Sequence, residues 1–382
     1  MKLDLDRDCT GAAPSAARPS LLARCACIAC AALIVYGSLT PWSGWRDTGV
    51  GAFAYLTAPL PQYLTTFDLV VNVLAYLPLG GLVVLALYPR QRGVKAATIA
   101  TALGLALSAG MEALQTFLPS RVATNVDVVT NGIGTLLGAG LAAPFAETLI
   151  DRGAMARVAA QWFARDAAPA LVLLALWPLA QIDPVPMLFG NGRAVVAPQL
   201  PAAAPITPLG LPVFPEFGPS EFLLAEAVVT VCGLLAAGLA LASTLRPRAP
   251  RFLLLASLCG AALLAKALAY GGKFGAEYAF AWVTPGALGG LALGSICLVV
   301  AVTGRASVLA RVSCFCLCAL IIAVNLIPVN PYHAAWVQQW HPGKLRHFSA
   351  AAAWLSMAWP YAMLAWLAYD SLPRRARRTS GA

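Results

Sequence analysis

Apolar runs of about 20 residues recur along the whole chain, and each is the length that an α-helix needs to cross a bilayer. This pattern restricts the possible folds more than any other feature of the sequence. Of the 382 residues, 60% are hydrophobic and 11% are charged, which excludes a disordered chain and disfavours an ordinary soluble domain. The sequence therefore predicts an all-α fold, a polytopic transmembrane helical bundle.

About ten helices are predicted, the first of them read as an uncleaved helix because no convincing signal-peptide cleavage site follows it. The ten segments are residues 21–40, 68–88, 96–118, 127–147, 168–187, 221–243, 252–271, 281–302, 312–328 and 347–369. With the N-terminus inside, nineteen of the 26 Lys and Arg residues fall on the inner side and six on the outer side. This asymmetry follows the positive-inside rule, so we expect both termini to be cytoplasmic and the protein to be multi-pass in a bacterial inner membrane.

The same topology accounts for the net charge of +10, so the charge gives no reason to expect a nucleic-acid partner. Membrane lipids are the expected partners, because a basic tail near a bilayer attracts anionic headgroups. The first outer loop carries Trp42, Trp45, Tyr55 and Tyr63, which suit an aromatic belt at the membrane interface.

The chain divides into two membrane halves separated by a proline-rich loop, which is extended and cannot form a core of its own. The predicted units are a flexible cytoplasmic tail (1–20), a four-helix membrane domain (21–150), a connecting segment with the fifth helix (151–187), the Pro-rich outer loop (188–220), a second membrane half of about five helices (221–370) and a basic cytoplasmic tail (371–382).

Polar side chains interrupt one helical hairpin of the first half. Ser108, Glu112 and Gln115 are spaced so that they share one face of a helix. Asp127 and Asn131 share a face of the next helix. Because ionisable groups at membrane depth are costly and face the protein interior, we expect these side chains to lie inside the bundle.

An earlier helix carries a similar polar face. Asp68 and Asp127 each follow a threonine by three residues, so a role at the N-terminal cap of a helix is one interpretation of both. A cap does not require Asn72 one turn deeper, and Tyr76 continues the same face. We therefore predict that three helices bring polar faces to the same outer depth.

Several ionisable residues have more than one interpretation. Glu112 lies near the C-terminal end of its helix, where the dipole opposes a carboxylate, so it is either hydrogen-bonded to a neighbouring helix or active towards a ligand or proton. Arg121 in the following turn either neutralises Glu112 or Asp127, binds an anionic headgroup through its planar fork, or is solvated. In the second half, Glu226 and Lys266 either pair or Lys266 snorkels to the interface.

No metal site, cofactor or catalytic residue is predicted. Cys27-x-x-Cys30 lacks a second cysteine pair or a histidine at metal-binding spacing. The three histidines, His333, His341 and His347, have no acidic neighbours in sequence. The sequence also lacks a nucleophile elbow and a metal-binding helix, so a non-enzymatic protein is expected.

The motifs of the first half resemble the VanZ-like family of bacterial membrane proteins. They are Glu112-x-x-Gln115, Pro119-x-Arg121, Asp127-x-x-x-Asn131 with the glycines after it, and Asp68-x-x-x-Asn72 with Tyr76 and Pro78-x-Gly80. The resemblance covers about residues 30–145 and departs from the family at Phe67, where a basic residue or histidine is usual. It implies an envelope protein, since the family is named for a member linked to low-level resistance to the glycopeptide teicoplanin.

The leading hypothesis is an envelope protein with a polar pocket near the outer leaflet that binds a lipid, a lipid-linked envelope precursor or a glycopeptide-like amphiphilic antibiotic. The predicted pocket residues are Asp68, Asn72, Tyr76, Glu112, Gln115, Arg121, Asp127 and Asn131. One alternative is a membrane-embedded enzyme that uses paired carboxylates as acid and base on a lipid-linked substrate. The other is a proton-coupled transporter, in which intramembrane acids carry protons.

Overall fold

The computed structural model of the chain describes residues 19–60, 65–164, 166–183, 185, 187–193, 217–328 and 346–371, with no side chains described at 346–350. Within these ranges the fold is all-α, and the β-structure is limited to one isolated bridge between Phe163 and Leu245. Residues 1–18 and 372–382 and most of the Pro-rich loop lie outside the described residues. The predicted cytoplasmic position of both termini therefore remains a prediction.

The first half contains four long helices followed by a short amphipathic one. They are α1 (Leu21–Leu39), α2 (Thr66–Leu87), α3 (Gly93–Gln115), α4 (Asn125–Ala142) and α5 (Ala154–Trp162). Helix α6 (Ala168–Ala180) precedes the Pro-rich loop in sequence, but we count it and the residues after it with the second half because it packs against helices of that half. The other helices of the second half are α7 (Pro219–Thr244), α8 (Arg251–Phe274), α9 (Pro285–Ala301), α10 (Ala306–Leu326) and α11 (Arg346–Ser371).

Among the described residues, seven helices are long and apolar enough to cross a membrane: α1 to α4, α7, α8 and α10. The chain is therefore a multi-pass membrane protein, and the figure of about ten spanning helices remains a prediction. Helices α6 and α9 are apolar but shorter. At 13 residues, α6 is about 20 Å long, which is less than the ~30 Å of a hydrocarbon core.

Helices α2 and α4 pack with their backbones in contact. A Cβ atom placed on Gly134 would overlap the backbone of Val73, and one placed on Gly138 would overlap the backbone of Leu77. Small residues permit this close approach in lipid. Gly140 is different, because a Cβ there would have nothing within 4 Å.

The second half has a similar close pair, and α1 joins it to the first half. Gly290 of α9 lies against the backbone of Ala227 in α7, so that a Cβ would approach the Ala227 carbonyl oxygen to 2.7 Å. Helix α1 contacts α6 and α11 as well as α2. At this junction the rings of Tyr36 and Trp354 stack with their centroids 5.0 Å apart.

After α6 the chain folds back into the bundle, and we call residues 187–193 the re-entrant segment. Phe189 is fully buried against Gly233, near the middle of α7. The carbonyl oxygen of Leu188 accepts a hydrogen bond from the Thr230 hydroxyl at 3.3 Å. The predicted Pro-rich outer loop therefore begins inside the protein, where non-helical backbone at membrane depth is shielded from lipid.

Candidate functional site

Polar side chains of α2, α3 and α4 meet at one end of the helical bundle of the first half. At this end α2 and α4 begin and α3 ends. Glu112 of α3 is only 3% exposed. Its Oε2 atom accepts a hydrogen bond of 2.8 Å from the backbone N–H of Thr124. Thr124 is the N-cap residue of α4, so the carboxylate lies at the positive end of that helix.

This contact explains why a carboxylate is tolerated so close to the end of α3. The dipole of α3 opposes Glu112, but the dipole and free N–H groups of α4 favour it. The sequence interpretation of Glu112 as a structural hydrogen-bonding partner of a neighbouring helix is therefore confirmed. Whether the same carboxylate also contacts a ligand stays a prediction.

Asp127 joins α4 to α2. Its Oδ1 atom accepts a hydrogen bond of 2.8 Å from the Asn72 side chain, and its backbone N–H donates to the Thr124 hydroxyl at 3.0 Å. Asp68 is exposed, and its carboxylate accepts a 2.5 Å hydrogen bond from the hydroxyl of Thr65, the N-cap residue of α2. The threonine caps expected at both helices are thus confirmed, and only Asp127 extends the contact to a second helix.

A buried layer lies one turn deeper. The Asn131 side-chain amide donates to the Ser108 hydroxyl at 2.9 Å, and Tyr76 is buried beside Ser108. Among the described residues, the Asn131 Oδ1 atom is buried without a hydrogen-bond partner. The buried Tyr76 hydroxyl has only the Ser108 hydroxyl near it, at a geometry too poor for an ordinary hydrogen bond. Buried polar atoms are nearly always paired, so these two atoms are open acceptor or donor positions.

We call the residues that meet in this way the polar cluster. They are Asn72, Tyr76, Ser108, Glu112, Thr124, Asp127 and Asn131. Five of them were predicted from the sequence as site residues, and Ser108 was noted as sharing their helical face. Thr124 enters through its backbone N–H, which a side-chain motif does not reveal.

Two other predicted site residues are directed towards α1. Gln115 donates from Nε2 to the carbonyl oxygen of Ser38 at 2.9 Å. Arg121 donates from Nε to the Thr40 carbonyl at 3.0 Å and from Nη2 to the Gly37 carbonyl. These carbonyls lie at the C-terminal end of α1, where helical acceptors lack intrahelical partners and a cation is favoured.

One interpretation of the sequence was that Arg121 is a solvated turn residue, and these hydrogen bonds show that it is wrong. Its guanidinium binds the end of α1, and its charge acts on Glu112 and Asp127 through electrostatic attraction. Headgroup binding by Arg121 stays a prediction.

The first outer loop covers the polar cluster with Tyr55, which is only 3% exposed. The Tyr55 hydroxyl donates to the Ala109 carbonyl at 2.9 Å, and burial together with the nearby Glu112 charge raises the pKa of Tyr55. The sequence predicted that Tyr55 belongs to an aromatic belt at the membrane interface, and this prediction is wrong because Tyr55 is buried. Trp42 and Trp45 are exposed, as a belt requires, and Tyr63 lies outside the described residues.

The two charges of the second half have separate partners. Lys266 is fully buried, and its Nζ atom donates to the carbonyl oxygens of Asp183 and Val185 at 3.2 and 3.3 Å. Glu226 accepts a 2.6 Å hydrogen bond from the hydroxyl of Thr284, the N-cap residue of α9. Both the predicted ion pair and the snorkelling of Lys266 are wrong.

A metal centre was not predicted, and the described residues contain no group of three or more His, Cys, Asp or Glu side chains that could hold a metal ion. His333 and His341 lie outside the described residues, and the side chain of His347 is not described.

Comparison with models of known protein families gives a match in the first half of the chain. Residues 25–147 match the family model described as VanZ/LLP1. This region is VanZ-like. The resemblance expected from the motifs is thereby confirmed, and the VanZ-like region contains α1 to α4 and all eight predicted site residues. No curated protein matches the chain, and no solved structure does.

Proposed function

We propose that the polar cluster of the VanZ-like region binds the polar head of an amphiphile, such as a lipid, a lipid-linked envelope precursor or a glycopeptide-like antibiotic. The protein would then act in a bacterial envelope by sequestering or presenting that molecule. Under the predicted topology the cluster lies at the outer end of the bundle, where such molecules reside.

The observation that carries the proposal is the pair of unpartnered buried atoms, the Tyr76 hydroxyl and Asn131 Oδ1. Leaving a buried polar group unpaired costs about 1–3 kcal/mol. Both residues lie next to Ser108, and a fold that retains two such atoms is less stable than one with apolar groups there, unless a further molecule supplies the missing hydrogen bonds. A headgroup rich in hydroxyl, amide or phosphate oxygens offers both donors and acceptors.

The sharpest test separates stability from binding at Tyr76. Tyr76→Phe removes an unpartnered hydroxyl, so we expect the thermal unfolding midpoint of the purified protein to stay the same or rise. The same change removes a proposed ligand contact, so affinity for a fluorescent teicoplanin derivative or a labelled lipid-linked precursor should fall about tenfold, the effect of one lost hydrogen bond.

Tyr55→Phe is the matched control, because the Tyr55 hydroxyl already donates to the Ala109 carbonyl. We expect it to lower the unfolding midpoint and leave the affinity unchanged. If Tyr76→Phe lowers stability and leaves binding intact, the hydroxyl is only a packing group and the proposal is wrong.

A cellular test uses the two carboxylates. Glu112→Gln and Asp127→Asn keep hydrogen-bonding oxygens but remove the charge, so sensitivity to envelope-targeting glycopeptides should change at equal expression. Glu221→Gln serves as the control, because Glu221 is an exposed acid in the first turn of α7. Unchanged sensitivity in both cluster variants would contradict the proposal.

We do not propose the enzymatic or transport alternatives. Glu112 and Asp127 each accept a hydrogen bond that joins two structural elements. Carboxylates engaged in this way support binding and positioning, and no contact among the described residues favours proton transfer over that role.

A further inference from the structure

The re-entrant segment of the second half presents an arginine from a fixed backbone. The Asn191 side chain is fully buried and donates to the Ser356 hydroxyl at 2.8 Å and to the Ala180 carbonyl at 3.2 Å. The carbonyl of Gly192 accepts hydrogen bonds from Asn325 and Tyr361, both at 3.0 Å. The backbone immediately before Arg193 is therefore held by three other helices.

Gly192 is required at this position for two reasons. Its φ of +97° lies in the left-handed region that residues with a side chain rarely adopt. A Cβ atom there would also approach the Pro360 ring to 3.1 Å.

Arg193 is half-buried and uses little of its hydrogen-bonding capacity within the described part of the chain. Its Nη2 atom donates to the carbonyl oxygen of Ile327 at 2.9 Å, at the C-terminal end of α10. No carboxylate among the described residues acts on it. A guanidinium group has several N–H donors in a planar fork, and buried charges are ordinarily paired, so the rest of the fork is open to an anion.

A small cavity lies next to this guanidinium. It has a volume of about 10 Å³ and is lined by Met187, Gly190, Arg193, Val324 and Ile327. This volume accommodates one water-sized group, which is also the size of a single anionic oxygen. Three of the lining side chains are apolar, so the surroundings suit a molecule with a hydrocarbon part beside its charge.

We propose that this cavity is a second binding site, in which Arg193 binds the oxyanion head of an amphiphile, a phosphate or carboxylate. One anionic oxygen enters beside Gly190 and accepts from the guanidinium fork, while the hydrocarbon part stays outside the cavity, next to the half-exposed Ile327. The site is in the second half, outside the VanZ-like region and separate from the polar cluster.

The test uses the full-length protein in an uncharged maltoside detergent, with three probes titrated separately: dihexanoyl phosphatidic acid, dihexanoyl glycerol and inorganic phosphate. We expect the phosphatidic acid to bind, and the neutral diacylglycerol and free phosphate to bind at least about tenfold more weakly. Arg193→Gln should weaken phosphatidic acid binding by at least about tenfold, the effect of losing a charge-assisted hydrogen bond.

Arg251→Gln is the matched control, because Arg251 donates from Nη1 to the carbonyl at the C-terminal end of α9, Val302, at 2.8 Å. It should leave binding unchanged. Val324→Ile adds one methyl-sized group to the cavity while keeping Arg193, so it should also weaken binding if Arg193→Gln does not fold. Equal binding by Arg193→Gln, an equal loss in Arg251→Gln, equal affinity for diacylglycerol or free phosphate, or no binding of phosphatidic acid would each overturn the proposal.

Discussion

Among the described residues, the Asp, Glu, Lys or Arg side chain that is buried in the VanZ-like region is a carboxylate, Glu112, and the one buried in the second half is an ammonium group, Lys266. Glu112 lies at the N-terminal end of α4, whereas Lys266 binds carbonyl oxygens that follow the C-terminal end of α6. Glu112 therefore faces a helix end of opposite polarity, whereas Lys266 is held by loop carbonyls and by the nearby Asp183 carboxylate. The comparison shows that this chain keeps charge at membrane depth by pairing it with backbone groups that lie outside the regular helices.

The two halves also share a pattern of helix-end contacts. The carbonyls at the end of α1 are bound by Gln115 and Arg121, and those after α6 by Lys266 and Lys273. In each half the N-cap threonine of the returning helix contacts a glutamate. The halves differ in burial: the glutamate is buried in the VanZ-like region and the lysine is buried in the second half. The following variants test that difference.

The largest effect is expected at the close helix pairs. Gly138→Ala places a Cβ on the backbone of Leu77, so α2 and α4 must separate, and we expect a loss of about 3 kcal/mol or more in the free energy of unfolding. Gly290→Ala should cost less, about 2 kcal/mol, because its overlap is smaller. Reversible denaturation in mixed detergent micelles measures both. Gly140→Ala, in open space, should be neutral or slightly stabilising, and an equal loss in that variant would refute the explanation.

Removing the buried cation should have the next largest effect. Lys266→Met keeps most of the side-chain volume but leaves the Asp183 and Val185 carbonyls without their donor. We expect a loss of about 2–3 kcal/mol, measured by the same denaturation. Lys95→Met, at an exposed position, is the control. Higher stability in Lys266→Met would show that desolvation of the ammonium group outweighs its hydrogen bonds, as occurs for some buried ions.

Changes at Glu112 should have a smaller effect that depends on the replacement. Glu112→Ala leaves the Thr124 N–H unpaired and should cost about 1–2 kcal/mol, as loss of an N-terminal cap does. Glu112→Gln retains an acceptor oxygen and should cost less than half of that. The thermal unfolding midpoints of the two variants provide the comparison. Equal losses would mean that the negative charge, rather than the hydrogen bond, stabilises the end of α4.

The smallest effect is expected at the corresponding cap of the second half. Thr284→Val removes the hydroxyl that caps α9 and donates to Glu226, and we expect a loss of about 1 kcal/mol. Hydrogen exchange of the first turn of α9 should report it locally. A larger loss than in Glu112→Ala would contradict the expected order, in which the glutamate contact of the VanZ-like region contributes more to stability.

The sequence predicted those features that depend on neighbouring residues. The threonine caps at Thr65 and Thr124 and the shared face of Ser108 and Glu112 both follow from spacing along one helix. The partner of Glu112 could not be predicted in the same way, because it is the backbone N–H at the start of another helix. Every residue except proline has a backbone N–H, so the residue type does not identify the one that donates.

The same limitation applies to Arg121 and to the re-entrant segment. Arg121 binds the carbonyls of Gly37 and Thr40, which no motif identifies. The fifth predicted helix was expected to extend to residue 187, but the corresponding helix, α6, ends at Ala180. The residues that follow are apolar enough to resemble a helix, and their true position depends on contacts with α7 and α11, far away in sequence.

The shortness of α6 has a consequence for how the protein is made. A segment of 13 residues is too short to be integrated into a bilayer as an independent span. The polar backbone of residues 187–193 also lacks its hydrogen-bond partners and its protection from lipid until α10 and α11 are in place. Both of those helices are synthesised later. We therefore expect α6 and residues 187–193 to reach their final position last, after α10 and α11 have been synthesised and have formed the surface against which they pack.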